Sequence, residues 1–295
     1  SEDPFLAGKM AASFINGVQS KGVGTSLKHF AANNQECRRM TINTVADERT
    51  LREIYLTAFE IAVKESKPWT VMNAYNKLNG TYCAENKWLL TDVLRDDWGF
   101  ENLVITDWGA ENERVPGLIA GQEIEMPTSS GEGARQIVEA VKNGTLDEKV
   151  LDTACARILK LVEKAEKSIG DYTYDPAEHH KIAREIAGQC MVLMKNDNNL
   201  LPLKKNANIA VIGEMAKTPR YQGAGSSLIN PISLDCAYDT MKDMGISLTV
   251  DDTAVEILAD KGFDVLYGAR PLRRAIQSML EDKIAEKMLE GVFTN

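Results

Sequence analysis

The stretch Leu103-Val104-Ile105-Thr106-Asp107-Trp108-Gly109-Ala110 decides how the first part of this chain folds. Four residues with strand-forming side chains stop at a carboxylate, an indole and a glycine. A short apolar run bounded by turn residues predicts a buried strand over 103–106. A carboxylate and an aromatic at its C-terminal tip stand where α/β enzymes place their chemistry.

The neighbouring text repeats the pattern. Residues 22–27 read as a strand that delivers Lys28-His29-Phe30, and 69–73 as one that delivers Ala74-Tyr75-Asn76. Residues 123–126 form a weaker strand ending at Pro127. Helices are predicted over 3–20, with Leu6, Met10, Phe14 and Val18 on one face, and from Asp47 onward, with Leu51, Ile54, Tyr55, Ala58, Phe59 and Ala62 inward. Further helices are predicted over 86–96, capped by Asn86, over 133–143 and over 147–167. Strand, polar tip, helix, repeated, is a parallel α/β pattern. An open doubly wound sheet and a (β/α)8 barrel share it, and in both the tips Lys28, His29, Tyr75, Asp107 and Trp108 converge. A complete barrel takes about 250 residues. The pattern here ends near residue 170, so a barrel would be incomplete.

Composition narrows the class. The chain has 295 residues, enough for two domains. With 44% hydrophobic and 26% charged residues it is neither disordered nor fibrous. A formal net charge of −9 argues against a general nucleic-acid binder. Five cysteines (Cys37, Cys83, Cys155, Cys190, Cys236) form no Cys-x-x-Cys pair, the pattern of reduced thiols in the cytoplasm and not of a disulfide framework or zinc site. No apolar run is long enough to span a membrane, and no signal-peptide pattern opens the chain. It begins with Ser and not Met, the expectation being a fragment.

Beyond a linker at 171–176, a helix is predicted over 177–187 and a strand-like apolar run over 191–194. Residues 208–213 read as a buried strand opening a second α/β unit, with a loop at 220–227 and a helix over 233–244. From Ser247 the text changes to a strand (247–250) and three charged amphipathic helices with Arg270, Arg273 and Arg274 bunched together.

A strand-tip Asp beside an aromatic suits nucleophilic attack on a sugar, the carboxylate meeting the anomeric carbon and the indole the apolar ring face. Retaining glycosidases need two carboxyl groups about 5–5.5 Å apart. Lys28 and His29 would hydrogen-bond sugar hydroxyls, and the charge of Lys28 would favour an ionised Asp107. The plainer alternatives are a helix-capping Asp107 and a His29 satisfied in the core.

Several motifs together resemble glycoside hydrolase family 3, in its two-domain β-glucosidase-like branch, over residues 1 to about 244. They are Ser1-Glu2-Asp3-Pro4, Lys28-His29-Phe30-Ala31-Ala32-Asn33-Asn34-Gln35-Glu36, Asp47-Glu48-Arg49, Ala74-Tyr75-Asn76 through Asn79-Gly80, Thr106-Asp107-Trp108-Gly109-Ala110, Glu125-Met126-Pro127 and Arg220-Tyr221-Gln222-Gly223. The resemblance implies a barrel followed by an α/β sandwich domain, and retaining hydrolysis of β-linked glycosides without metal or cofactor. The family's nucleophile falls on Asp107, its sugar-holding pair on Lys28 and His29, and its Met and Tyr of the following strand on Met72 and Tyr75. Trp108 would line the aglycone side. Phe-Ala-Ala-Asn after His29 departs from the Phe-Pro-Gly-His loop of the family's N-acetylglucosaminidase branch. The match begins in mid-barrel, implying missing first strands, an open sheet edge and marginal stability. The branch's acid/base glutamate has no counterpart here. Glu36, Glu123 and Glu125 are the nearest stand-ins, each with a plain structural role as its alternative.

Residues from about 246 to 295 resemble the C-terminal small domain of Clp-type AAA+ unfoldases, through Ser247-Leu248-Thr249-Val250, Ala259-Asp260-Lys261-Gly262-Phe263-Asp264 and Tyr267-Gly268-Ala269-Arg270-Pro271-Leu272-Arg273-Arg274-Ala275-Ile276-Gln277. There Arg270 matches a nucleotide-sensing arginine, and Pro271 suits the first turn of a helix. No Gly-x-x-x-x-Gly-Lys-Ser/Thr loop exists to cradle ATP.

The expected fold is therefore α/β: an incomplete (β/α)8 barrel (1–170), a linker and packing helix (171–206), the start of an α/β sandwich domain (207–244) and a small α+β Clp-like domain (246–295). The expected function is a β-glucosidase-like hydrolase acting on a carbohydrate, with no nucleic-acid or membrane partner. The alternative is an inactive chimera or fragment whose tail, 246–295, mediates self-association without ATPase activity.

Overall fold

The computed structural model describes residues 2–204, 209, 211, 213–223 and 225–244. The chain divides into two compact units, Ser1–Tyr172 and Thr173–Asn295. In the first, strands β1 (Ser26–Phe30), β3 (Thr70–Asn73) and β6 (Leu103–Ile105) form a parallel sheet in the order β1-β3-β6. A parallel bridge from Ile105 to Ile124 extends it. Neighbours follow sequence order, the winding of part of a (β/α)8 barrel.

Register explains which face is buried. Leu27, Val71 and Val104 stand side by side, as do Ser26, Thr70 and Leu103. The first row packs under the helices with Phe30, Leu51, Leu56, Val63, Leu89, Leu90 and Val93. Phe30 is fully buried, its ring 5.1 Å from that of Phe59 and 5.7 Å from that of Trp98. On the opposite face Ser26 and Lys28 are exposed, and Met72 and Ile105 only half-buried.

The first helix, α1 (Pro4–Gln19), is capped by Asp3, whose carboxylate accepts the Phe5 and Leu6 N–H groups. Its buried residues are Gly8, Ala12 and Ile15, not the predicted face: Leu6, Met10 and Phe14 are exposed. Close packing decides this. A Cβ at Gly8 would lie 2.8 Å from the Ile61 side chain of α3 (Thr57–Ser66), so only the small-residue face can approach that helix.

After the Asp47 cap, the predicted single helix comprises α2 (Glu48–Thr50), a π-helical segment Leu51–Tyr55 and α3. The Leu56 N–H bonds the Leu51 carbonyl five residues back. That wide turn delays the register by one residue, which buries Leu56 completely and leaves the predicted inward Ile54 exposed. Asn86 caps the π-helical segment Trp88–Asp97 as predicted, accepting the Leu89 N–H at 3.0 Å.

A second small sheet joins β2 (Asn43–Thr44), β4 (Lys77–Leu78) and β5 (Thr81–Tyr82). Asn79 and Gly80, both at positive φ, make the β4–β5 turn. Residues 123–126 form the single bridge at Ile124 and not the predicted strand. Helices α4 (Arg114–Ala120), α5 (Glu132–Lys142) and α6 (Glu148–Glu166) complete the unit.

In the second unit, Asp175 caps α7 (Pro176–Cys190), and α8 (Ala237–Asp243) follows Cys236. The predicted strand-like run 191–194 pairs with no strand among the described residues, and all four side chains are exposed. Without a neighbouring strand an apolar run has no ladder to join. Half of the predicted strand 208–213, and everything predicted from Ser247 onward including Arg270, lies outside the described residues.

Candidate active site

Three adjacent strand ends bring the polar residues together. His29 is near the end of β1, Tyr75 two residues beyond β3, and Asp107 two residues beyond β6. His29 Nε2 lies 3.3 Å from Asp107 Oδ2, and the Asp107 side chain is 16% exposed. Asp107 Oδ1 accepts the Trp108 N–H at 2.7 Å. The Tyr75 hydroxyl donates to the Trp108 carbonyl at 3.1 Å, and its burial and the nearby Asp107 carboxylate both push the phenol up. Burial pulls the His29 imidazole below its ordinary value, although Asp107 pulls the other way. Burial thus favours the neutral imidazole, which can offer one N–H and one acceptor to a ligand.

The remaining predicted residues flank this group. Lys28 is exposed on β1, and no ion pair joins it to Asp107 among the described residues. Met72 is half-buried on β3 beside Ile105. Trp108 is 65% exposed, so its side chain is accessible to a ligand.

Arg39 was not singled out from the sequence. Its guanidinium sits 4.5 Å from the centre of the Tyr75 ring and pairs with Glu36 at 2.7 Å. Only the crowding of charge in Glu36-Cys37-Arg38-Arg39, soon after a strand tip, hinted at it. Glu36 is thus tied to Arg39 and to the Asn33 amide. Glu123 is buried between Arg95 and Arg157, and Glu125 accepts the Ser129 hydroxyl. All three stand-in acids have structural partners. No group of three or more His, Cys, Asp or Glu among the described residues is placed to hold a metal.

Four residues after Asp107 stands Glu111, its side chain 4% exposed and 3.1 Å from Arg114. Burial pushes its carboxyl up to about 7, with Arg114 opposing. Because the folded state holds this proton more tightly than the unfolded chain, the group's contribution is complete below about pH 4.5. It is lost as pH rises through 7, a change of about 3 kcal/mol. Glu111→Gln is expected to remove that part of the pH dependence. Urea unfolding of both proteins at pH 5 and pH 8 measures it, and identical pH dependence in the two would refute it.

Residues 1–161 match the family described as Glycosyl hydrolase family 3 N terminal domain. The chain belongs to glycosyl hydrolase family 3. Thermostable beta-glucosidase B of Acetivibrio thermocellus is 56% identical over 246 residues, covering 83% of this chain and 33% of that protein. An exo-alpha-(1->6)-L-arabinopyranosidase of Bifidobacterium breve is 49% identical over 257 residues, covering 83% and 34%. Among solved structures, beta-glucosidase 3B of Thermotoga neapolitana in complex with alpha-D-glucose superposes with a TM-score of 0.83 at 40% identity, covering 90% of this chain and 39% of that one. The family 3 chain spans about a third of the length of the curated relatives it matches. Residues 228–295 match a different family, the C-terminal, D2-small domain of ClpB protein. No helix among the described residues is long and apolar enough to cross a membrane.

Proposed function

We propose that this chain carries the nucleophile half of a retaining β-glucosidase site. The observation that carries the reading is the convergence of Asp107, His29 and Tyr75 at three neighbouring strand ends, with the exposed Trp108 directly after the carboxylate. In the first step Asp107 attacks the anomeric carbon and the bond to the aglycone oxygen breaks. That oxygen leaves with the electron pair and takes a proton, or departs as a stabilised aryloxide. Water then attacks the anomeric carbon and gives up a proton to solvent, and the ester to Asp107 breaks to restore the carboxylate. Lys28 and His29 hold sugar hydroxyls, Met72 and Tyr75 line the ring, and Trp108 lies on the aglycone side. The glucose-bound relative supports a hexose, whereas the arabinopyranosidase relative shows that the sugar is not fixed by family membership.

The acid is missing from this assignment, so the test uses an aryl β-glucoside whose leaving group needs little protonation. Burst release equal to the amount of protein, with a glycosyl adduct on Asp107 by mass spectrometry, is expected. No release from a protein shown to be folded would overturn the reading. Free cysteines at all five positions support a cytoplasmic setting, and the acidic charge supports the absence of a nucleic-acid partner.

The division into 1–170, 171–206, 207–244 and 246–295 belongs to the same proposal. The ClpB match favours a second role for the last segment, with Arg270 a vestigial nucleotide sensor and the tail an association module. Deleting 246–295 is then expected to convert a self-associating species to monomer in sedimentation velocity. An unchanged distribution would exclude that role.

A further inference from the structure

The Asp107 turn follows a strand that loses its ladder at the point where precision matters most. The Ile124 N–H bonds the Val104 carbonyl at 3.3 Å and the Thr106 N–H bonds the Ile124 carbonyl at 3.0 Å, and the ladder between β6 and this segment ends there. Pro127 comes next and has no N–H to offer. In place of a ladder, the Thr106 hydroxyl accepts the Met126 N–H at 2.7 Å and donates to the Met126 carbonyl at 3.1 Å. The same carbonyl takes the Gly109 N–H at 2.7 Å, and the Ala110 N–H closes back on the Asp107 carbonyl at 3.0 Å. Thr106 itself is completely buried. We propose that Thr106 is a positioning residue for Asp107, its hydroxyl clamping Met126 so that residues 107–110 form one fixed turn. The functional part of this inference rests on Asp107 being the nucleophile; the geometric part does not.

A residue that merely fills space would tolerate valine, which matches threonine in shape but lacks the hydroxyl. A clamp would not, because valine leaves the Met126 N–H without its acceptor. His29 supplies a readout separate from stability, since its imidazole faces Asp107 together with Lys28, Glu36 and Arg39. Histidine ring NMR on the full chain can follow it, as the only other histidines are His179 and His180. In Thr106→Val, withdrawal of Asp107 is expected to move the His29 titration midpoint to lower pH. Labelling of Asp107 by an aryl β-glucoside is expected to slow by about 100-fold. Thr106→Ser, which keeps the hydroxyl, is expected to restore both. A folded Thr106→Val protein with the wild-type His29 midpoint and labelling rate would overturn the proposal, as would a Thr106→Ser protein that behaves like the valine variant. If valine prevents folding, Thr106→Ala replaces it, which removes the hydroxyl without introducing a second methyl: a shift in the same direction supports the clamp, and no shift overturns it. If wild type is never labelled, the glycosidase reading fails while the His29 titration still decides whether Thr106 holds the turn.

Discussion

Asp107→Asn is expected to abolish the burst of aglycone from an aryl β-glucoside, by at least about 1,000-fold, while thermal unfolding stays close to wild type. The substitution is nearly isosteric. Asparagine keeps an oxygen that can accept the Trp108 N–H, so the contact that orders the turn survives. What disappears is the anionic oxygen needed to form the glycosyl ester. Because burial favours the neutral form of His29, which is also partly exposed, removing the charge of Asp107 is expected to cost little stability. Rapid-mixing fluorescence and intact-protein mass spectrometry measure the outcome. A burst of wild-type size in the Asn protein would sink the assignment of Asp107, whatever the fate of the rest of the site.

The barrel-like winding was legible because each strand reads as a short apolar run that stops at a polar tip. Parallel β1, β3 and β6 follow from that repetition, and the candidate site follows from their tips. Helix faces were less legible. In α1 the larger apolar side chains are spaced for one face, yet Gly8 and Ala12 set the packed face, because close approach to Ile61 rewards small residues more than large ones. Past Leu51 a π turn displaces the register, and no propensity in Leu-Arg-Glu-Ile-Tyr announces it.

Contacts distant in sequence were the least legible. The pair Asn79-Gly80 is a strong hairpin signal, and it forms the turn between β4 and β5. Arg39 stacks on Tyr75 across thirty-odd residues of sequence, and nothing local specifies which of two consecutive arginines turns inward. The role of Thr106 depends on Pro127 ending the ladder opposite it, a fact visible only once the bridge at Ile124 is known.

Glu123→Ala is expected to cost about 3–5 kcal/mol of stability, the usual penalty for breaking a buried ion pair from one side. The Glu123 side chain is 1% exposed and contacts Arg95 at 2.7 Å and Arg157 at 2.6 Å. Its other oxygen accepts the Val104 N–H at 2.7 Å, on the edge of β6. Arg95 is 7% exposed and spends its other bonds on the carbonyls of Phe100, Asn102 and Gly121. Burial pulls this guanidinium down to about 10, with Glu123 opposing, so it stays charged at neutral pH. Alanine would leave it buried without a counter-ion and would strip Val104 of its acceptor. Arg157, 25% exposed, can turn toward water, which keeps the cost from doubling. Glu123→Gln separates the two effects, since its amide oxygen can still accept from Val104 while the charge is gone. If the carboxylate matters chiefly as charge, glutamine should fall close to alanine; if as an acceptor for β6, close to wild type. Urea unfolding of the three proteins ranks them, and an alanine variant within about 1 kcal/mol of wild type would mean that the two arginines do not depend on Glu123. A large loss would also tie the site to its scaffold, because β6 runs from this knot at Val104 directly to the turn that presents Asp107.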